Sequence, residues 1–192
     1  MEAWDQRSVL TEQGRREEGA MFRAATNRRH LDPAAIARRL GGVVHWSGAF
    51  AVPVRSWRLV ARAPDFDAWL IAWPRGGTVD FHDHGGSRGA LHVMSGSLVE
   101  TILWRDDADR VTFSRREVHQ GTTLAFGAGH VHDVRNESPE HALSVHVYSP
   151  PLTSMSYYDR VGDHLMSREN GWASSPYDAT AYDRPALGLV AR

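Results

Sequence analysis

Between residues 55 and 150 the chain breaks into short runs: "SWRLVARA", "AWLIAW", "ALHVM", "SLVETILW", "RVTFSRREV", "TTLAF" and "ALSVHVY". Each is rich in branched and aromatic residues and bounded by Gly, Pro, Asp or Asn. Runs of this length and spacing predict an all-β sandwich or barrel. Met94-Ser95-Gly96-Ser97 reads as a tight hairpin turn, and Arg105 to Arg110 as a longer charged loop. Residues 1–45 read instead as a charged helical segment. Asp32-Pro33 is a cap with proline in the first helical position, and "AAIARRL" runs to a stop at Gly41-Gly42. Beyond the barrel, residues 151–192 show little regular pattern but hold Tyr157, Tyr158, Trp172, Tyr177 and Tyr182. That tail is expected to wrap and pack on the barrel. Residues 1–192 thus form one expected domain, with the barrel at 46–150; a domain of ~150 residues buries about 70% of its unfolded-chain surface.

Composition removes several classes of function. Lys and Arg number 22 against 23 Asp and Glu, a net charge of -1, which argues against a nucleic-acid or anionic-membrane partner. Without cysteine there is no disulfide framework, no thiolate metal site and no cysteine nucleophile. The opening stretch "MEAWDQRSVLTEQGRREEGA" lacks the apolar run of a secretory signal. No stretch approaches the ~20 apolar residues of a spanning helix. The expectation is a cytoplasmic protein, a monomer or small homo-oligomer.

Histidine is where the chemistry gathers. In "FHDHGGSRGALHVMSGSLVE", His82 and His84 share one face of an extended chain while Asp83 points away. In "GTTLAFGAGHVHDVRN", His130 and His132 have the same spacing, so spacing alone does not say which of them is a ligand. In "ALSVHVYSPPL", Ser144, His146 and Tyr148 fall on one face and Leu143, Val145 and Val147 on the other. That row is either the solvated face of a half-buried strand or, in a closed barrel, a hydrogen-bond relay along a cavity.

Two longer patterns resemble the cupin motifs. The first runs Gly76, His82, His84, Gly89, Gly96, and the second Gly121, Gly127, Gly129, His132, Asn136. Glycine stands at Gly89, where most cupins carry a glutamate ligand, and at Gly127, where proline is usual. The resemblance implies a cupin barrel, a double-stranded β-helix, with His82, His84 and His132 as metal ligands and His130 outside the set. Three imidazoles without a carboxylate leave a divalent ion its full charge, and imidazole alone does not choose among iron, nickel, copper and zinc. A substrate bringing its own thiolate suits such a site.

"HDHGGSRGALHVMSGSLVET", "GHVHDVRN" and "SVHVYSPPL" together resemble the cysteine dioxygenase family of thiol dioxygenases, over roughly residues 55 to 155. The resemblance implies a ferrous centre, Fe(2+), on His82, His84 and His132. It also implies a working row of Ser144, His146 and Tyr148 and a cis bond at Ser149-Pro150. Animal members carry a cysteine at the position of Gly89, crosslinked to the tyrosine; this chain is similar to the bacterial type. The substrates implied are O2 and a small thiol, L-cysteine first, oxidised to the sulfinic acid. A substrate arginine is also implied, because its planar fork pairs with both carboxylate oxygens. Arg55, Arg58 and Arg62 are candidates. Arg58 best matches the family position, and Arg62, four residues on, could share its strand face. Ser56 and Trp57 stand where the family has a tyrosine, which leaves the thiol open.

Met155 and His92 are further substrate-pocket candidates, with a core methionine and a structural histidine as the alternatives. Asp83 is expected to act as an acceptor behind the ligands. The rival readings are a related dioxygenase for another thiol, such as 3-mercaptopropionate or one of specialised sulfur metabolism, a non-catalytic metal- or ligand-binding cupin, and a zinc or nickel isomerase or hydrolase.

Overall fold

The structure is a computed structural model describing residues 31–43, 54–105, 111–161 and 164–168. The first thirty residues, most of the charged loop before Val111, and Trp172, Tyr177 and Tyr182 lie outside the described residues. One helix, α1 (Pro33–Val43), precedes β1 (Ser56–Ala63), β2 (Phe66–Trp73), β3 (Thr78–His82), β4 (Arg88–Ser95), β5 (Ser97–Arg105) and β6 (Val111–His119). Then follow β7 (Thr123–Phe126), β8 (His132–Arg135), β9 (Ala142–Ser149), β10 (Tyr158–Val161) and β11 (His164–Ser167).

The strands form a five-stranded sheet in the order β1-β2-β9-β4-β7 and a four-stranded sheet in the order β3-β8-β5-β6. The chain passes repeatedly from one sheet to the other, and all named pairings are antiparallel. This is the cupin barrel. The ends of its two motifs meet: Gly76 N–H donates to the Asn136 carbonyl at 3.0 Å, and Asn136 N–H to that of Gly77 at 2.9 Å.

Alternation divides the apolar residues into two cores. Trp69, Ile71, Trp73, Leu91, Val93, Phe126 and Tyr148 point between the sheets. Ala68, Leu70, Ala72, Ala90, Leu143, Val145 and Val147 point outward, where α1 covers them with Ile36, Ala37 and Leu40. Burying Ile36 and Leu40 contributes roughly 1.5–3 kcal/mol each. With both faces covered, β2 and β9 are buried along their whole length. Asp32 caps α1, its Oδ1 accepting from Ala34 N–H at 2.9 Å.

Two expectations change. Gly41 and Gly42 do not stop α1, which continues to Val43. Gly41 is instead a close-approach position, since a Cβ there would lie 2.4 Å from the His92 ring. Gly96 makes a sharp turn, with φ of 71°, but no hairpin. Strands β4 and β5 lie in different sheets, so the turn is a corner between them. A local turn signal fixes the reversal of direction and not the partner, which the two-sided burial of β4 decides.

A Cβ on Gly96 would stand 2.7 Å from the His141 carbonyl oxygen, and its φ lies in the left-handed region. Gly96→Ala is expected to lower stability by about 1–2 kcal/mol or more, read as a lower urea midpoint at unchanged slope. An unchanged midpoint would contradict this account of the corner.

Candidate metal centre

Strand β3 ends at His82 and β8 begins at His132, and the antiparallel register sets these two residues directly opposite. Their ring centroids are 4.6 Å apart. His84, two residues past the end of β3, places its ring 5.0 Å from each of the other two. All three are buried, at 3%, 0% and 1% exposure for His82, His84 and His132. One ring nitrogen from each converges, all within 4.8 Å of one another.

The outer nitrogens decide what those inner ones offer. His82 Nδ1 lies 2.7 Å from the Asp80 carbonyl, which can only accept, so Nδ1 carries the hydrogen and Nε2 a lone pair. His132 Nδ1 is likewise a donor, to Glu100 Oε1 at 2.7 Å. Its bare Nε2 faces His84 Nε2 at 3.3 Å, while His84 Nδ1 is buried without a hydrogen-bond partner among the described residues. Lone pairs on His82 and His132, with His84 offering Nε2 when its hydrogen moves to Nδ1, are a donor set for a divalent transition-metal ion. No fourth protein ligand comes from Gly89, where a Cβ would lie 2.3 Å from the Val147 carbonyl and 2.6 Å from the Phe126 ring. Phe126 fills that space and stacks on His84 at 4.7 Å.

His130 lies outside this group. Its Nε2 donates to Glu100 Oε1 at 2.9 Å, on the same oxygen that receives His132. Arg116 holds the other oxygen through Nε and Nη2, both at 2.6 Å. Burial alone would raise the Glu100 pKa, but hydrogen bonds from His130 and His132 and the Arg116 charge hold it well below the carboxylate range. Sequence reasoning missed Glu100. The signal was there in "SLVETILW", where Glu100 alternates with buried Leu98 and Ile102, a core position that a carboxylate occupies only with partners.

Along β9 the three polar residues form a chain. Trp73 Nε1 can only donate, and it reaches Ser144 Oγ at 2.8 Å. Ser144 Oγ lies 3.0 Å from His146 Nε2, and His146 Nδ1 lies 3.3 Å from the Tyr148 hydroxyl. One arrangement that completes the row has Ser144 O–H donating to Nε2 and Nδ1–H donating to the tyrosine oxygen. Tyr148's own hydrogen is then directed away from the row. Burial, with the nearby His132 and Arg55 charges, pushes the His146 pKa down to about 3, so the ring is neutral.

Part of this constellation faces one cleft of about 530 Å³, open solvent at its mouth included. His82, His132, His146, Tyr148 and Met155 line it, within walls of Trp57, Trp69 and Trp73. The arginine in its lining is Arg55, with its guanidinium 4.9 Å from the Trp57 ring and 5.4 Å from that of Trp73. Arg58, the arginine favoured by the sequence, is not in the lining. It stands opposite Leu70, whose side chain packs on the α1 side of the sheet. A bulge between Leu59 and Ala61 shifts the register, so Arg62 does not share that face. Arg62, itself exposed, pairs at 3.5 Å with Asp67, whose side chain is buried. His92 also lies on the far side of the sheet, its Nδ1 2.9 Å from Thr123 Oγ1. Asp83 accepts from Tyr158 O–H at 2.6 Å and from Gly85 and Ser156 N–H, fastening the chain that returns after the cis Ser149–Pro150 bond.

An antiparallel barrel with three buried imidazoles and a Ser-His-Tyr row defines a cupin of the three-histidine metal class. The sequence model of the family "Cysteine dioxygenase type I" matches residues 46–161, and the chain belongs to that family. Cysteine dioxygenase type 1 of Danio rerio is 31% identical over 126 residues, covering 59% of this chain and 62% of that protein. The Homo sapiens protein is 27% identical over 106 residues, covering 52% of each. The chain therefore spans somewhat over half the length of the curated relatives it matches. Among solved structures, a Thermus thermophilus protein overlaps 54% of this chain and 90% of its own, at 22% identity and a TM-score of 0.45. A Lactobacillus farciminis oxalate decarboxylase overlaps 54% and 31%, at 15% identity and a TM-score of 0.46. No helix of the described residues is long and apolar enough to cross a membrane.

Burial also lowers the pKa values of His82, His84 and His132 below the ordinary 6.5. Below that pH the unfolded chain binds protons at these rings and at His146, while the folded metal-free protein does not. Stability therefore falls as pH drops from about 6.5, by up to ~1.4 kcal/mol per pH unit for each ring. Urea midpoints of metal-free protein should decline steeply between pH 7 and pH 5. A flat profile there would mean that the rings take up protons in the folded state.

Proposed function

We propose that the protein is an iron(II)- and O2-dependent thiol dioxygenase that converts a small carboxylated thiol, L-cysteine first, to its sulfinic acid. Both oxygen atoms end on sulfur, so two S–O bonds form, the O–O bond breaks, and no further reductant is needed. The observation carrying this reading is the shared cleft. Imidazole lone pairs for a metal, a row ending at the Tyr148 hydroxyl, and the Arg55 guanidinium all meet there.

Ferrous iron held by His82, His84 and His132 would supply the one-electron chemistry that lets O2 react with a thiolate. The protein's part is placement. Arg55 pairs with the substrate carboxylate, and stacking between Trp57 and Trp73 limits the positions its guanidinium can take. The apolar walls exclude water and strengthen that pairing. Tyr148 donates a hydrogen bond to the reacting group, held in line by neutral His146. Met155 fills the apolar wall, and Gly89 with Phe126 leaves the centre without a protein carboxylate.

A second thiol belongs in the same test. Among the residues lining the cleft none is acidic, so no side chain there pairs with a substrate ammonium. That favours 3-mercaptopropionate, which has the thiol and carboxylate but no amine.

The test is anaerobic loading with ferrous iron, then oxygen uptake and sulfinate formation with L-cysteine, 3-mercaptopropionate and cysteamine. Cysteamine lacks the carboxylate and should be the poorest. No uptake with any thiol would leave a non-catalytic metal-binding cupin. At matched iron content, Tyr148→Phe should lose about 2–3 kcal/mol of transition-state stabilisation, or roughly 30- to 150-fold in rate. Wild-type turnover in that variant would reduce the row to a polar wall. Arg55→Gln should raise KM for the carboxylated thiols at least ~10-fold, the loss expected when a charge-assisted pair worth about 1.5–3 kcal/mol is removed. Arg58→Gln should leave KM unchanged.

A further inference from the structure

His130 lies outside the three-histidine group, although with Glu100 and His132 it forms a second set of ligand atoms within 4.8 Å of one another, and it touches what holds two of the three histidines. Through Nε2 it shares Glu100 Oε1 with His132 Nδ1, at 2.9 and 2.7 Å. Its ring also stacks on Phe126, with centroids 5.2 Å apart and planes 16° apart. Phe126 in turn stacks on His84 at 4.7 Å and 24°. His84 needs such support, because its Nδ1 has no hydrogen-bond partner among the described residues to fix the ring. His130 itself is set by the turn before β8, its N–H donating to the Gly127 carbonyl at 3.1 Å.

We infer that His130 is a positioning residue of the metal centre, bracing His132 through Glu100 and His84 through Phe126. Glu100 is fully engaged: His130 and His132 on one oxygen, the Arg116 fork on the other. A buried carboxylate held from three sides cannot rotate, so the imidazole donating to it keeps one orientation and presents Nε2 to the site. Outer partners of this kind raise ligand basicity and typically govern metal affinity by about 10- to 100-fold. The chain thus places its carboxylate behind a ligand, where Gly89 has removed one from beside the metal.

The inference rests on the metal centre and not on the thiol chemistry. It is tested by cobalt(II) affinity, measured in competition with a chromophoric chelator, together with the visible spectrum of the bound ion. His130→Ala should weaken cobalt binding by about 10-fold and Glu100→Gln by about 10- to 100-fold. His130→Gln should recover part of the loss, because its amide can still donate to Glu100. His130→Ala should cost less when added to Glu100→Gln than alone, since one of its two routes is already gone. Melting of the metal-free proteins separates a folding defect from a metal-site defect. Cobalt affinity and spectrum unchanged in His130→Ala would overturn the inference, whether or not its metal-free melting point falls. A wild-type protein that binds no cobalt, iron or zinc would remove the centre itself and this inference with it.

Discussion

Ser144, His146 and Tyr148 can stand inside the barrel because Leu143, Val145 and Val147 have somewhere else to go. Strand β9 pairs with β2 on one edge and β4 on the other, and α1 covers its outer face. Without the helix, the apolar side of β9 would compete for the interior, and a polar row would be the side left in water. With it, both faces are dry, and each hydroxyl and imidazole of the row must find its partner within the protein. Trp73 supplies the terminal donor from the neighbouring strand, at Ser144. One end of the row is therefore anchored by a residue that sequence alternation alone would assign to packing.

The same dryness governs the charges. Desolvation keeps His82, His84, His132 and His146 neutral, which is the form that offers lone pairs. Glu100 stays ionised only because three groups donate to it. Burying Glu100 is tolerable because a guanidinium fork and two ring N–H groups meet it; the buried Asp67 and Asp133 likewise have an arginine beside them, Arg62 and Arg135. Gly89 follows the same logic: the backbone carbonyl of Val147 and the Phe126 ring occupy the space a side chain would need, so neither a ligand nor a crosslinking residue fits.

The barrel was legible in the sequence because short, branched and aromatic runs between turn residues leave few other outcomes. The His-x-His spacing, the second motif and the Ser-His-Tyr alternation brought most of the candidate site's residues together for the same reason, since strand geometry converts spacing of two into a shared face. What escaped depended on pairing between distant segments. The hairpin expected at Gly96 is a corner, because turn chemistry does not name the partner strand. Arg58 was favoured over Arg55 on its match to the family pattern, and Arg62 was given the same face because the sequence hides the bulge between Leu59 and Ala61; Arg55 lines the cleft from just before β1. His130 and His132 were indistinguishable by spacing; the register of β8 against β3 and β5 separates them, putting His132 opposite His82 and Ile102.

Charge balance links the candidate centre to the kind of substrate proposed for it. A divalent ion on three neutral imidazoles keeps its two positive charges, offset in part by Glu100 through His132. Arg55 adds a third positive charge on the same cleft, while Arg116 neutralises Glu100 from the outer side. The lining of the cleft is thus built with positive charge and with no acidic residue among the side chains that face it. In a low-dielectric cavity such an arrangement favours whatever brings negative charge to it. A thiolate with a carboxylate brings two negative charges at the two ends of a short chain, one for the metal and one for the guanidinium. A neutral alcohol or an amine brings neither. On that argument discrimination comes from matching charge inside a dry cleft more than from the shape of the tryptophan walls, and it falls hardest on a thiol without a carboxylate.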